Sequence, residues 1–576
     1  MNTHNDDGDD LTFVHRRFGS TLKISEPCAI DKLFDDNLTD IFLHLDPCSK
    51  EDHKETRKGW HSVPAVCRRW RRLALSLPQF WSSLLFTNPD LTDVMLERSQ
   101  HAPLHVVFPG PESWYSDGSQ VLPVIEHLDR VAFISLSSFV DTLHIFTQAA
   151  CRPAPILRTC ILRRVRMPAA EGLGLPPDFL GGNAPQLETL ILRGCCLPWT
   201  SPLLHGGITT LHLQSLQTTS KCGINAMLDA LSHMHNLKDL RLSPASPYWR
   251  GFVEDVESAN GRSVTLPHIV TLYLTGTPLD ICGLLPLLAL PYDASTHLSL
   301  IFSNEAIIKL LAPPPTHGGL AVFDRLHANL ARHFASRISS PDPGRATKQP
   351  QPGLLELHGK WPHTYALRAT SAPTPDSVFN VSTSAYESFS FPEPAPPEGF
   401  TFTMALLAPG HAEPELPPLS MACEPLVRAY PLEMSALETL LLTPHARLHA
   451  DAWCDIAIRA RSVRRLVIEA LSAEAAELLA LVQPEVRDHI GETEVEGAPE
   501  FFPALTHLSL VKTDLKALAG RWRRRLRVLR LQRCWNVADE VRHLRTHVET
   551  VIWEESDSRD RIHETEMWKL GLDDEE

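Results

Sequence analysis

A spacing of three aliphatic residues, L-x-x-L-x-L, returns along most of this chain and limits its fold more than any other feature. The first group is Leu128-Val131-Phe133, Leu157-Cys160-Leu162, Leu187-Leu190-Leu192, Ile208-Leu211-Leu213, Leu237-Leu240-Leu242 and Ile269-Leu272-Leu274. The second group is Leu437-Leu440-Leu442, Val463-Leu466-Ile468, Leu505-Leu508-Leu510, Leu526-Leu529-Leu531 and Val548-Val551-Trp553. Roughly eight such triplets arise by chance if a quarter of positions are aliphatic, so one triplet alone carries nothing. The signal is in the intervals. Middle residues at 131, 160, 190, 211, 240 and 272 are separated by 29, 30, 21, 29 and 32, and those at 508, 529 and 551 by 21 and 22. Several triplets also share a lead: Pro185-Gln186-Leu187-Glu188-Thr189-Leu190, Pro267-His268-Ile269-Val270-Thr271-Leu272 and Pro503-Ala504-Leu505-Thr506-His507-Leu508. Within each unit apolar and polar residues alternate, as in a strand buried on one face.

Around this theme the chain divides by composition. Residues 1–29 form an acidic, flexible lead-in, 30–86 are dense in apolar and aromatic residues at helical spacing, and 87–127 read as a connector. The repeat theme occupies 128–302 and 437–553, and residues 554–576 form an acidic tail. Between the two repeat stretches, 303–436 read as a Pro-rich insertion or irregular β region. Fifteen of the 47 prolines fall in residues 341–418, a composition of loops and turns. Ser388-Phe389-Ser390-Phe391 and Phe400-Thr401-Phe402-Thr403 are candidate strands inside it.

In residues 33–45, Phe34, Leu38, Ile41, Phe42 and Leu45 make one stripe of an amphipathic helix, with Asp35, Asp36, Asn37, Thr39, Asp40 and His44 opposite. The acidic residues sit in the first turn, against the positive end of the helix dipole. A second stripe, Val63, Val66, Cys67, Trp70, Leu73, Ala74 and Leu77, predicts a helix whose polar face is Arg68, Arg69, Arg71 and Arg72. Pro64 is tolerated in its first turn, and Pro78 ends it. Phe80-Trp81 follow as an aromatic anchor. Residues 49–58 between the stripes are a charged, solvated loop.

The order of residue types in this module resembles the F-box. The residues that carry the likeness are Leu33-Phe34-Asp35-Asp36-Asn37-Leu38-Thr39-Asp40-Ile41-Phe42-Leu43-His44-Leu45-Asp46-Pro47, then Val66-Cys67-Arg68-Arg69-Trp70-Arg71-Arg72-Leu73-Ala74, then Phe80-Trp81. With Trp81-Ser82-Ser83-Leu84 and Leu96-Glu97-Arg98-Ser99 it is similar to the F-box proteins expanded in some fungi. Phe34 stands where the family has proline, and Asn37 where it has an apolar residue. The resemblance implies a helical module that docks on a Skp-type adaptor, which links it to the cullin of an SCF-type ubiquitin ligase. By carry-over, Leu33, Phe34, Leu38, Ile41, Phe42, Val66, Cys67 and Trp70 would face the adaptor or shape its groove. Trp81 would close the module's own core.

The triplets in turn resemble irregular leucine-rich repeats, in which the leucines of a short strand point inward and the alternate residues face out on a concave parallel sheet. One repeat cannot bury its own apolar face, so copies must stack. The fold class expected is therefore α/β: a small N-terminal helical F-box-like module, then an irregular leucine-rich-repeat curved solenoid carrying a Pro-rich, β-rich insertion. On such a sheet Arg193, His212, Arg241, Tyr273, Arg465 and Arg530 are candidate substrate contacts. Arg521-Trp522-Arg523-Arg524-Arg525-Leu526-Arg527 is a basic cluster suited to an acidic or phosphorylated segment, to a nuclear signal, or to plain solvation.

The formal charge of −15, from 54 basic and 69 acidic residues, argues against nucleic acid as a partner. No apolar run is long enough for a membrane span, and the N-terminus lacks the basic and apolar regions of a signal peptide. Twelve cysteines show no framework and read as reduced thiols of a cytoplasmic or nuclear protein. No P-loop, dinucleotide fingerprint, nucleophile elbow or zinc-protease motif occurs. His233 and His235 are placed to clip a metal but read as loop histidines. The expectation is a non-enzymatic adaptor without cofactor or metal, whose partners are a Skp-type adaptor, a cullin and an unknown protein substrate. The alternative is a non-ligase repeat scaffold for protein–protein interaction with a vestigial F-box.

Overall fold

A computed structural model describes residues 29–45, 60–86, 89–108, 121–164, 173–216, 224–244, 262–301, 317–338, 354–360, 364–370, 401–407, 430, 434–442, 456, 459–469, 502–511, 513, 515, 525–535, 537 and 547–554. The chain divides into two units, Met1–His105 and Val106–Glu576. The charged loop at 49–58, the Ser388–Phe391 segment, the 1–28 lead-in and the tail beyond Glu554 lie outside the described residues.

The first unit holds α1 (Asp35–His44), α2 (Val63–Val66), α3 (Arg68–Ser76), β1 (Ser83–Leu85) and α4 (Pro89–Arg98), and ends within β2 (Leu104–Phe108). Asp35 and Asp36 occupy the first turn of α1, and Leu38 and Phe42 are its buried face. The second stripe does not form one helix. Cys67 is extended (φ −158, ψ 169), ending α2 and capping α3, and its Sγ accepts the Trp70 N–H at 3.5 Å. A side chain that bonds its own backbone three residues on competes with helix continuation, and α2, one turn with Pro64 in it, has little to oppose that.

An aromatic core holds the unit together. Phe42 lies 5.1 Å from Trp70 and 6.1 Å from Phe80, between ring centroids. Trp60, Phe80 and Trp81 meet edge to face at 5.4–5.8 Å, the favoured aromatic geometry. The Trp81 indole N–H, which needs an acceptor once buried, donates to the Ala74 carbonyl at 2.8 Å. The stretch 87–127 is not simply a connector. Its α4 belongs to this unit, with Thr92, Met95 and Leu96 buried and the Arg98 guanidinium 4.5 Å above the Trp81 ring.

In the second unit parallel strands form one ladder. Its first part is β3 (Val131–Ser138), β4 (Thr159–Arg164), β6 (Thr189–Arg193), β8 (Thr210–Leu216), β9 (Asp239–Pro244), β11 (Thr271–Gly276) and β13 (Ser295–Ile301), each pairing in parallel with the next. Two short parallel pairs lie apart from it: β5 (Leu173–Gly174) with β7 (Cys195–Cys196), and β10 (Val264–Thr265) with β12 (Leu288–Ala289). Connections carry α5 (Leu122–Ile125), α6 (Val140–Ala149), α7 (Ile224–His233) and α8 (Pro278–Leu284). No described helix is long and apolar enough to cross a membrane.

The triplets set the register. Cys160, Leu190, Leu211, Leu240 and Leu272 are in-line partners across five strands, and Leu162, Leu192, Leu213, Leu242 and Leu274 form the next row, all buried. The same backbone device opens eight of the eleven triplets. The N–H of the first triplet residue donates to the carbonyl three residues earlier at Leu157, Leu187, Ile208, Leu237, Ile269, Leu437, Val463 and Leu505. The carbonyl two residues before the middle leucine then accepts two consecutive N–H groups of the next strand. Glu188 does so from Thr209 and Thr210, and Arg464 from Thr506 and His507. The first triplet is displaced, however. Cys160 pairs with Ile134, so the repeating set in β3 is Val131-Ile134-Leu136 and not Leu128-Val131-Phe133. Phe133 is only half-buried while Ile134 and Leu136 are fully buried.

The Pro-rich stretch does not interrupt the ladder. It supplies β14 (Leu354–Lys360), β15 (Thr364–Thr370) and β16 (Thr401–Leu407), an antiparallel meander whose outer members pair in parallel with its neighbours: β16 with β13, and β14 with β17 (Thr439–Leu442). The candidate strand at Phe400–Thr403 falls at the start of β16. Beyond β17 the ladder continues in parallel through β18 (Arg465–Glu469), β19 (His507–Val511), β20 (Leu526–Gln532) and β21 (Val548–Glu554). Among the described residues of this unit the ladder from β3 to β21 thus joins fifteen strands, of which β15 alone runs backwards. Helix α9 (His317–Ala335) also comes from this stretch. After it, buried Arg337 donates to the carbonyls of Tyr292 (3.0 Å) and Ala294 (2.8 Å) and to Thr296 Oγ1 (2.6 Å), at the start of β13.

Candidate functional site

Two surfaces carry the residues expected to act, one on each unit. On the first unit the eight expected adaptor-facing residues separate into two sets. Leu38 and Phe42 are 0% and 1% exposed and belong to the module's own core, so of the two expected roles only shaping the groove from behind is compatible with their burial. Phe34 is 78%, Val66 58% and Ile41 42% exposed. Cys67 is exposed, and Leu33 and Trp70 are half-buried. At about 100° per residue, Leu38 and Phe42 occupy one flank of the α1 stripe and Ile41 the other. Phe34 precedes the helix in extended backbone (φ −70, ψ 159) and is carried clear of it.

Arg69 ties these exposed residues together. Its Nε donates to Asp35 Oδ1 at 2.8 Å and its Nη2 to the Leu33 carbonyl at 2.5 Å. Both acceptors flank Phe34 in sequence, and Val66 and Cys67 lie just ahead of Arg69 on α2 and its cap. The clamp therefore brings the N-terminal ends of α1 and α3 together with their apolar side chains still in water. A cavity of about 210 Å³, lined by Phe42, Leu43, Leu45, Phe80 and Pro103 with Gln79, Ser82, Ser83 and His105 at its polar edge, opens on the same unit.

On the second unit the strand register turns the outward residues of β4–β13 into columns. His212, Arg241, Tyr273 and His297 are in-line partners on β8, β9, β11 and β13. Their side chains form a connected row. Asp239 Oδ2 accepts from His212 Nε2 at 2.9 Å and from Arg241 Nη2 at 2.9 Å, while Asp239 Oδ1 accepts from Arg241 Nε at 3.1 Å. The Arg241 guanidinium lies 4.4 Å from the centre of the Tyr273 ring, and that ring stacks on His297 at 4.1 Å, 10° from parallel. Burial raises the pKa of the Asp239 carboxyl. The hydrogen bonds from His212 and Arg241, with their charges, outweigh it and hold the group below the usual carboxylate value. The row is thus held rigidly in place, with Asp239 and Arg241 neutralising each other.

Of the six expected substrate contacts, His212, Arg241 and Tyr273 come together here, and Arg193 lies one column further along, donating from Nε to Gln214 Oε1 at 2.5 Å. Arg465 and Arg530 do not join them. Between β11 and β18 stand β13, β16, β15, β14 and β17, a separation of roughly 30 Å at the usual strand spacing. The outward face also changes there. Leu441, Val467 and Ser509 are in-line partners on β17, β18 and β19, and all are buried, so both faces of the sheet are covered at this point. That overturns the expectation of one open outward face along the whole array. Near Arg465, burial first and then the charges of Arg465 and Arg527 lower the pKa of His507.

Sequence reading missed Asp239, Gln214 and Arg163, all outward on strands whose leucines it placed, and His297 on β13, for which it placed no triplet. The available signal was parity: each lies an even number of residues from an outward neighbour on its own strand. It also missed Trp60 in the aromatic core. Of the basic cluster, 521–524 lie outside the described residues, Leu526 is buried, and Arg525 and Arg527 are exposed. His233 closes α7, its Nδ1 donating to the Asp229 carbonyl at 2.6 Å, rather than lying in a loop. Among the described residues no three His, Cys, Asp or Glu side chains are grouped to hold a metal ion. Compared with known proteins, the chain matches no family model, and no curated protein matches it.

Proposed function

We propose that this protein is the substrate-recognition adaptor of an SCF-type ubiquitin ligase. Its first unit is an F-box-like module that docks on a Skp-type adaptor, and its second is an irregular leucine-rich-repeat solenoid that holds a protein substrate. The ligase chemistry belongs to other chains; this one supplies proximity. The observation that carries the reading is the division of the α1 and α2–α3 apolar residues into a finished core and a solvent-facing set. Leu38, Phe42, Trp60, Ala74, Phe80 and Trp81 are buried, while Phe34, Ile41 and Val66 remain in water beside the Arg69 clamp. Clustered exposed apolar side chains mark a partner surface. The repeat reading is supported by the turn that recurs at eight triplets and by the paired backbone bonds between successive strands.

The experiment is co-purification of tagged full-length protein with a Skp-type adaptor and a cullin, beside a Phe34→Asp, Val66→Asp double variant. Both positions are exposed, so the variant keeps its fold. Capture of both subunits by the wild type and of neither by the variant supports the reading. Capture of the adaptor without the cullin points to a non-ligase complex. Capture of neither by the wild type sinks the reading and leaves a repeat scaffold with a vestigial F-box.

A further inference from the structure

We propose that Arg464, Arg465 and Arg527 form a docking surface for an acidic segment of a partner protein, one that presents several Asp or Glu side chains in extended backbone. The surface lies at the start of β18–β20, apart from the row at His212 to His297. It takes in Arg527, from the described end of the basic cluster at 521–527, and joins it to two arginines 63 and 62 residues earlier. A run of backbone bonds sets the geometry. The Arg464 N–H donates to the Glu438 carbonyl at 2.8 Å, the Thr506 N–H to the Arg464 carbonyl at 2.9 Å, and the Arg527 N–H to the Thr506 carbonyl at 2.8 Å. Arg464 and Arg527 therefore stand two strand spacings apart, about 10 Å at the backbone, and both are exposed. Half-buried Arg465 is the in-line partner of His507 on the strand between.

Among the described residues none of these three arginines has a side-chain hydrogen bond or ion pair. His507 offsets none of their charge. Its Nδ1 lies 2.8 Å from Thr506 Oγ1, and burial, then the charges of Arg465 and Arg527, hold its pKa below the ordinary value. Two guanidinium groups from different strands thus act on one uncharged ring. Like charges on neighbouring strands repel, and carboxylates laid across them remove the repulsion. The spacing selects the ligand. One phosphate is held by guanidinium forks that converge on it, whereas these arginines leave the sheet apart. Side chains on one side of an extended segment recur about every 7 Å, so successive carboxylates meet successive arginines. The width selects against a nucleic-acid strand. Exposed Glu438 and Glu549 end the row on either side, and a longer polyanion crossing the strands would set its phosphates on them.

The test is fluorescence anisotropy of labelled probes with full-length protein. The probes are a short peptide with Glu at alternate positions, its Gln counterpart, a neutral peptide with one central phosphothreonine, and a short single-stranded DNA. No adaptor or cullin is present, so this result and adaptor capture fail independently. The Glu peptide should bind about tenfold or more tighter than each other probe, and more weakly as salt rises. Arg464→Gln and Arg527→Gln, both at exposed positions, should each weaken it about threefold or more. Arg464→Lys, which keeps a point charge, should retain most of the affinity. Arg262→Gln, which deletes a charge paired to Asp229 elsewhere on the unit, should leave it unchanged. The His507 Cε1 proton, identified by its loss in His507→Gln, should titrate at higher pH with the Glu peptide bound, because nearby carboxylates favour the charged ring. Equal binding of the Glu and Gln peptides, tighter binding of the phosphopeptide or the DNA, affinity that survives both glutamine variants, an equal loss in Arg262→Gln, or an unmoved His507 titration would each overturn the proposal.

Discussion

Phe42 and Phe34 lie eight residues apart on what reads as one apolar stripe, yet their replacement by alanine should differ by most of the unit's stability. Phe42 is 1% exposed. An aromatic side chain buries about 150–250 Å², which at about 25 cal/mol per Å² is about 4–6 kcal/mol as an upper estimate. Alanine keeps a part of that. The ring pairs with Trp70 and Phe80 add about 0.5–1.5 kcal/mol each beyond area, and the vacated volume is left among stiff rings that close on it poorly. The expected loss is about 3–5 kcal/mol, the usual range for a buried phenylalanine. Phe34, 78% exposed, should cost about 0.5 kcal/mol or less. The assay is hydrogen exchange of the α1 and α3 amides in the full chain, converted to local opening free energies. A Phe42→Ala loss below about 1 kcal/mol, or a Phe34→Ala loss of similar size, would refute the division into core and docking face.

Three further outcomes are expected. Burial, then the neighbouring Arg337 charge, push the His333 pKa down to about 3, while in the unfolded chain it is near 6.5. The folded state therefore binds fewer protons, stability falls as pH drops below about 6.5, and exchange protection of α9 should weaken from pH 7 to pH 5. A His333→Phe variant should lack that slope. Asp239 is held below the usual carboxylate value, so its contribution is complete above about pH 4 and is lost as pH falls through the folded value. Asp239→Asn should be less stable than wild type at neutral pH, and the gap should close on acidification in that window, as followed by thermal melts. Gly181 has φ +60, and a Cβ there would lie 2.8 Å from the Pro153 nitrogen. Gly181→Ala should cost at least about 1–2 kcal/mol in chemical denaturation, with no change in adaptor capture.

Much of the sheet was legible because a strand's inward leucines are set by local alternation. The triplets at Leu157 through Ile269 and at Leu437 through Leu526 occur in the structure at the register their spacing predicts. Val131 misled because Leu128 also fits the pattern, and only pairing with Cys160 shows that Ile134 holds the row. The meander at β14–β16 was hidden for a different reason. Its strands pair with β13 and β17 through connections that sequence does not order, so a stretch rich in proline read as an interruption. The candidate sites were half legible. Arg241 and Tyr273 could be placed facing outward, but their contact depends on strands 32 residues apart at Leu240 and Leu272, and Asp239 gains its role only when His212 comes beside it. In α1 the periodicity shows one stripe and is silent on which flank the protein covers itself. The rings that cover Phe42 are Trp70 and Phe80, which lie 28 and 38 residues further along the sequence.

The central claim is that the exposed residues around the Arg69 clamp dock a Skp-type adaptor, and the most direct measurement is the affinity of purified full-length protein for such an adaptor by titration calorimetry. The account predicts micromolar or tighter binding, weakened about a hundredfold or more by Val66→Asp, which places a charge in a desolvated contact. Lys238→Gln, on the second unit, should leave it unchanged. Absence of binding by the wild type, or equal affinity of wild type and Val66→Asp, would contradict it.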